Sequence, residues 1–306
     1  MSQHVVVGAG PVGTATARLL ADAGRHVVVV SRSGSGPDHP LITRTAGDAS
    51  SPATMARLAA GAAAIYNCAN PPYHRWVTLW PPIAAALLSA AESSGAVLAT
   101  ASNLYAYGPV DGLMTPDLPL ATTGPKGQVR ARMWQEAAAA HDAGRARVTE
   151  VRASDYLCPG PNSHLGDRVV PRVLAGKKVH VMRSADQPHT WTCVQDVARL
   201  LVTVAGDERA WGRVWHVPSH DPRTQRQVVA ELCRVAGVAP VVVAEHAPAL
   251  MRALGLVNPV IREFREVAHQ FERPFVLDAT ATRERFGLVP TPWDDGLRAL
   301  VEFYRR

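Results

Sequence analysis

HVVVGAGPVGTATARLLADAGRHVVVVSR, residues 4–32, reads as a strand, a glycine turn, a helix and a second strand. Three valines run into Gly8, Gly10 and Gly13, and the helical periodicity that follows stops at Gly24. In a turn of this kind the first glycine permits the tight bend, the second lets a pyrophosphate approach the backbone, and the third lets helix and strand pack closely. The helix start offers N–H groups and the positive end of a dipole, both suited to an anion. Gly8, Gly10, Pro11, Val12 and Gly13 are therefore expected to bind a dinucleotide. Where NAD sites usually carry an acidic residue, at the end of the second strand, this chain has Ser31-Arg32-Ser33. An arginine between two hydroxyls suits a ribose 2′-phosphate, which favours NADP(H) and leaves NAD(H) open.

A chain of 306 residues can bury a large core as one domain or two associated ones. Its formal charge of +6 is spread along the chain with no basic run or interleaved aromatics, so nucleic acid is not expected as a partner. The four cysteines, Cys68, Cys158, Cys193 and Cys233, lie far apart and no CxxC occurs, which argues against a disulfide framework. Histidines and cysteines never cluster at ligand spacing, so no metal is expected. With no signal peptide and no apolar run of membrane-spanning length, the expectation is a cytoplasmic protein away from membranes.

Past Arg32 the alternation continues. A strand in LITRTAGDASS delivers Asp48 and Ala49, a helix covers 52–61, and AAIYNCAN is a strand ending at Asn67, Cys68, Ala69 and Asn70. Residues 73–94 are helical in pattern, with Pro81-Pro82 expected to kink or restart the helix. GAVLATAS is the fifth strand, SNLYAYGP the loop after it, GQVRARMWQEAAAAHDAG a helix to Gly144, and RVTEVR the sixth strand. This alternation implies an α/β fold, a Rossmann-type doubly wound parallel sheet with ligands beyond the C-terminal strand ends. We expect a dinucleotide-binding domain over 1–155 and a smaller C-terminal substrate-binding lid over 156–306, interleaved with it. In the second half the pattern gives a helix over 164–176, short strands at KKVHVM and RVWHVPS, a strand running into a helix at TWTCVQDVARLLVTVAG, and helices over 223–237, 246–255 and 258–271.

On GAGPVG, GDAS, NCAN, SNLYAYGP, RASDYLCPGP and TWTCVQDVA, spread over nearly the whole length, the chain resembles the short-chain dehydrogenase/reductase superfamily. Specifically, it resembles the extended or atypical branch often labelled NAD-dependent epimerase/dehydratase. The resemblance implies that Asp48 and Ala49 lie at the adenine, Cys68 to Asn70 along the adenosine and ribose, and Ser102 beside the cofactor. It also implies that the loop after the sixth strand closes over the nicotinamide.

The same family works with a Tyr and a Lys four residues later on one helix face, and no YxxxK occurs in this chain. Anchored on Pro125, Lys126 and Arg130 occupy those two places; anchored on Glu136, they fall to Gln128 and Arg132. Asn103, after Ser102, takes the place of the family's Ser or Thr. An arginine does not shuttle protons near neutral pH, so Tyr105, Asn103 and Lys126 are the candidate catalytic residues, with Tyr105 facing substrate by resemblance and Lys126 also near the ribose. Tyr107 matches a structural Tyr-Gly of the family. His189 stands where nucleotide-sugar members carry a diphosphate-gripping arginine, which disfavours nucleotide sugars. Trp76, Trp80, Trp191 and Met182 are candidates for an apolar pocket, with Trp76, Trp191 and His189 taken as substrate contacts.

The reading is an NADP(H)-dependent oxidoreductase or epimerase-like enzyme for a carbonyl or alcohol of a small non-nucleotide metabolite. A degenerate NADP(H)-sensing binding protein stays open beside it, as does redox-neutral chemistry. Residues 73–94 and 126–144 are apolar enough to pair in a homodimer, as relatives do.

Overall fold

The computed structural model describes residues 3–160, 163–246 and 266–306. Strands and helices are numbered in chain order. The chain forms two compact units. The first comprises Met1–Gly108, Pro119–Ala153 and Val197–Val217; the second comprises Pro109–Leu118, Ser154–Asp196 and Pro218–Arg306.

The first unit is built on a parallel sheet of seven strands in the order β11-β7-β5-β4-β1-β2-β3. These are β1 (Gln3–Val7), β2 (Val27–Ser31), β3 (Ile42–Ala46), β4 (Ala62–Asn67), β5 (Val97–Asn103), β7 (Arg147–Ala153) and β11 (Val214–His216). The inner strands are runs of Val, Ala and Ile because helices cover both faces, leaving no polar side to alternate with. Helices α1 (Pro11–Asp22), α2 (Pro52–Ala59), α3 (Trp76–Ser94) and α4 (Pro125–Asp142) supply those covers. Val5, Val7, Ile65, Leu87, Leu98 and Val148 belong to one of the resulting cores. Strand order reverses between β1 and β4, and in such sheets the crevice beyond the carboxyl ends at that point receives ligands.

Local signals explain the helix boundaries. Ser51 caps α2 by accepting from the Thr54 N–H, and Pro52 follows at the first helical position. Helix α3 runs unbroken from Trp76 through Pro81 and Pro82 to Ser94, which corrects the expected restart. Both prolines, and Val77 and Thr78 whose carbonyls they leave without a helical donor, are exposed, so those carbonyls are open to solvent.

In the second unit lie β6 (Leu113–Met114), β8 (Asp155–Leu157), β9 (Val179–Val181), β10 (Trp191–Cys193), β12 (Val243–Glu245) and β13 (Val276–Leu277). They form three parallel pairs, β10 with β8, β12 with β9 and β13 with β6. One core joins Val169, Val170 and Val173 to Val228, Leu232, Leu297 and Leu300, carried by the helices Gly166–Leu174, Gln225–Ala236 and Trp293–Arg305. Tyr304 ties the last helix down, donating to Asp167 and accepting from the Gly160 N–H. The helix expected over 246–255, and most of that over 258–271, lie outside the described residues; Ala268–Phe271 is a 3-10 turn.

Among the described glycines of the first unit, Gly13 in the turn between β1 and α1 makes the tightest approach. A Cβ on Gly13 would overlap the Gly8 carbonyl oxygen, and one on Gly8, whose φ is +105°, would stand 2.5 Å from the Cys68 carbonyl oxygen. Gly10 has open space on that side and an ordinary φ of −74°. Gly13→Ala is therefore expected to cost about 1–3 kcal/mol of stability through overpacking, read as a lower Tm. Gly10→Ala should stay within about 1 kcal/mol of the parent, the scale of an N-cap change.

Candidate functional site

The end of β1 presents the start of α1 without a cap. Gly10 is the N-cap residue and makes no side-chain capping bond, and Pro11 holds the first helical position. The backbone N–H groups of Val12 and Gly13, in the first turn of α1, have no intrahelical acceptor and suit an anion, and the open side of Gly10 leaves the approach clear. These residues fit the pyrophosphate of a dinucleotide. Val12 is buried beneath the turn.

Neighbouring strand ends bring the other expected cofactor residues to the same edge of the sheet. Ser31 closes β2 and donates to the Ser35 carbonyl oxygen at 2.8 Å, while Ser33 donates to the Ser35 hydroxyl at 3.0 Å. Arg32 is exposed between them. After β3, Asp48 accepts from the Ser50 N–H at 2.9 Å and from its hydroxyl at 2.7 Å, and these bonds hold its carboxyl below the usual range. Ala49 is half-buried beside it. After β4, Cys68 lies under the glycine turn, and burial pushes its thiol up to about 12, so it lines the loop as an uncharged group. Ala69 donates its N–H to Asn67 Oδ1, and Asn70 is exposed. Ser102, at the end of β5, is 3% exposed and its hydroxyl has no hydrogen-bond partner among the described residues.

Helix α4 settles which residues share its inner face. Lys126 and Arg130 are 1% and 5% exposed, whereas Gln128 and Arg132 point to solvent. The Lys126 ammonium sits 4.7 Å from the centre of the Tyr73 ring, and the Arg130 guanidinium lies 4.7 Å over Trp76 and 4.1 Å over Trp80. Residues four apart stack one turn above the other, and each cation finds an aromatic face. Trp76 is fixed by its indole N–H, which donates to the Pro71 carbonyl oxygen at 3.0 Å, and Tyr105 lies against it with ring centres 5.9 Å apart. Asn103 Oδ1 accepts from the Tyr105 N–H and so shapes the loop that carries it. Tyr107 is core, 1% exposed, bonded to His216 Nε2 at 2.8 Å with Arg152 over its ring.

The remaining candidates lie in the second unit. His189 and Trp191 are 0% and 2% exposed. His189 Nε2 meets Asp155 Oδ2 at 2.8 Å, and the Trp191 indole donates to the Arg223 carbonyl oxygen at 2.9 Å. Both side chains are taken up inside that unit, and Met182 packs at the border of its core. Sequence reasoning missed Tyr73, for which the aromatic at i and i+3 before α3 was a usable signal. It also missed the Glu150–Arg152 ion pair on β7 at 2.7 Å, which two charges alternating along an otherwise apolar strand announce.

Among the described residues no group of His, Cys, Asp and Glu could hold a metal ion, and no helix is long and apolar enough to cross a membrane.

A seven-stranded parallel sheet with an uncapped glycine turn at its switch point defines a Rossmann-type α/β fold. Residues 4–217 match the model of the NAD dependent epimerase/dehydratase family, and the chain belongs to that family. It is similar to the dTDP-glucose 4,6-dehydratases of Shigella flexneri and Escherichia coli, each 24% identical over 152 residues. That match takes in 46% of this chain and about a third, 37%, of the length of those relatives. Among solved structures it resembles a UDP-glucose 4-epimerase from Thermotoga maritima with UDP-glucose, with a TM-score of 0.80, 18% identity, and coverage of 99% of this chain and 98% of that one. It also resembles a dTDP-glucose 4,6-dehydratase from Streptomyces venezuelae with NAD bound, with a TM-score of 0.78, 20% identity, and coverage of 99% and 97%.

The face of α4 yields a test. Arg130→Ala removes a buried cation from two indole rings and is expected to cost about 2–4 kcal/mol, taking about 2 kcal/mol for each desolvated contact as an upper scale. Arg132→Ala should stay within about 0.5 kcal/mol, as surface changes do. Thermal or urea unfolding of the two variants reads the difference.

Proposed function

We propose that this chain is an NADP(H)-dependent oxidoreductase or epimerase-like enzyme acting on a carbonyl or alcohol of a small non-nucleotide metabolite. The observation that carries the reading is the intact, uncapped glycine turn at the switch point, with Arg32 rather than a carboxylate at the end of β2. Gly8, Gly10, Pro11, Val12 and Gly13 would hold the pyrophosphate, Arg32 with Ser31 and Ser33 the 2′-phosphate, Asp48 and Ala49 the adenine, and Cys68 to Asn70 with Ser102 the adenosine and ribose side. Bound NADP(H) supplies or takes up the hydride. Tyr105 is assigned the proton exchanged with the substrate oxygen, Lys126 the polarisation of that oxygen and a contact with the ribose, and Asn103 the placing of the Tyr105 loop. Trp76 backs Tyr105 and offers an apolar wall.

The non-nucleotide substrate rests on His189. It stands where the nucleotide-sugar members have an arginine, and its imidazole is buried against Asp155. A cytoplasmic homodimer pairing through α3 and α4 completes the proposal. A second reading, a cofactor-sensing binding protein, is favoured by one observation: the two family positions for Tyr and Lys hold Lys126 and Arg130, and arginine does not exchange protons near neutral pH.

Calorimetric titration with NADPH, NADP⁺, NADH and NAD⁺ tests the cofactor. NADPH should bind tightest. Arg32→Asp should weaken NADPH by at least about tenfold, the scale of a charge-assisted bond to phosphate, and NADH far less; equal loss of both would remove the 2′-phosphate assignment. A panel of carbonyl compounds with NADPH then separates the two readings. Turnover that falls about 100-fold or more in Tyr105→Phe, at unchanged NADPH affinity, supports the enzyme and the role of Tyr105. Tight NADPH binding with no oxidation of it by any compound supports the sensor.

A further inference from the structure

Glu150 and Arg152 stand on β7 in the interior of the first unit, 2% and 1% exposed. Residues two apart on a strand share a face, and Arg152 Nε donates to Glu150 Oε1 at 2.7 Å. A buried ion pair is a weak stabiliser, since apolar residues of similar volume commonly serve as well. Its use is therefore sought in what the guanidinium touches. The register of the sheet sets Arg152 beside Ser102 of β5 on one side and His216 of β11 on the other. All three side chains leave the same face of the sheet, at its carboxyl edge.

On that face lies the ring of Tyr107. The Arg152 guanidinium is 4.7 Å from its centre, and the Tyr107 hydroxyl meets His216 Nε2 at 2.8 Å. The imidazole stands edge-on to the phenol ring at 5.7 Å and 73°. Tyr107 is the last residue of the 3-10 turn Tyr105–Tyr107, which is closed by the Tyr107 N–H on the Leu104 carbonyl at 3.1 Å and the Gly108 N–H on the Tyr105 carbonyl at 3.2 Å. With three residues per turn, side chains two apart diverge. Drawing Tyr107 into the core thus leaves Tyr105 half-buried on another side, against Trp76. Helix α4 abuts the same turn, because a Cβ on Gly127 would stand 2.5 Å from the Tyr105 carbonyl oxygen. The neighbour of Lys126 is packed on the backbone of Tyr105.

We propose that Arg152 is a positioning residue for the Tyr105 turn. Glu150 fixes the guanidinium, the guanidinium and His216 fix Tyr107, and Tyr107 fixes Tyr105 against Trp76 and beside the start of α4. Asn103 steadies the beginning of the turn, and this clamp holds its end. The clamp is a property of the first unit alone; its consequence for turnover rests on the proton-exchanging role proposed for Tyr105.

Arg152→Ala alone would leave Glu150 charged and buried without its partner, which risks unfolding the unit. The test therefore replaces both charges, combining Glu150→Leu with Arg152→Met. Should that variant not fold, Tyr107→Leu takes its place, since it keeps the ion pair and removes the ring it holds. Hydrogen–deuterium exchange of the intact chain is read by NMR at the Tyr107 and Gly108 amides, against those of β1 and β4. The turn amides are expected to exchange about tenfold faster or more, with β1 and β4 within about twofold of the parent. Turn amides unchanged in a folded variant, or quickened only as much as β1 and β4, would overturn the clamp.

Kinetics supply the second measure. With a carbonyl compound that the parent turns over with NADPH, kcat in the double variant is expected to fall about tenfold or more at unchanged NADPH Kd. Arg152→Lys keeps a charge for Glu150 but loses the planar face on Tyr107, and its kcat should fall between. A loosened turn with kcat unchanged would overturn the positioning role in the reaction. A parent that turns over no compound would count against the enzymatic reading instead, and the exchange result would still decide the clamp.

Discussion

Close packing at the turn between β1 and α1 is the constraint on which the first unit depends. Gly13 can press against the Gly8 carbonyl because it carries no Cβ, and Gly8, with none of its own, lets the Cys68 carbonyl beyond β4 come close. With helix and strand drawn together, α1 starts at the carboxyl edge of the sheet with its N–H groups unspent. The strand order then reverses next to this turn, between β1 and β4. One contact thus fixes the helix, the sheet position of its start and the anion-receptive end.

Much of this was legible in the sequence because each signal was local. The valines before Gly8, the spacing of Gly10 and Gly13 and the stop at Gly24 are short-range features, and the strand ends carrying Asp48, Cys68 and Ser102 follow from regular alternation. RVWHVPS also returns to the large sheet as β11, beside β7. Two things resisted. Pro81 and Pro82 read as a break, yet α3 continues, since a proline on the solvent face leaves carbonyls that water can satisfy. The inner face of α4 was ambiguous between Lys126 with Arg130 and Gln128 with Arg132, because spacing alone gives two registers. Burial and the rings of Tyr73, Trp76 and Trp80 select the first pair.

The buried cations of α4 share a chemical setting. Lys126 and Arg130 are each seated on an aromatic face. On α4 this places positive charge in an enclosed setting against aromatic rings. In the second unit the His189 ring is engaged by Asp155 and Gln270. Sequence reasoning could find the substituted residues but not their partners, because Tyr73, Asp155 and Gln270 are remote from them along the chain.

The central claim is that the β1–α1 turn is a working dinucleotide site. Hydrogen–deuterium exchange of the intact chain with and without NADPH tests it most directly. Residues 8–14 and 31–35 are expected to gain protection on adding NADPH, with little change along α2 and the buried inner strands. Unchanged exchange at those two stretches, at NADPH concentrations well above those typical of such sites, would contradict the account.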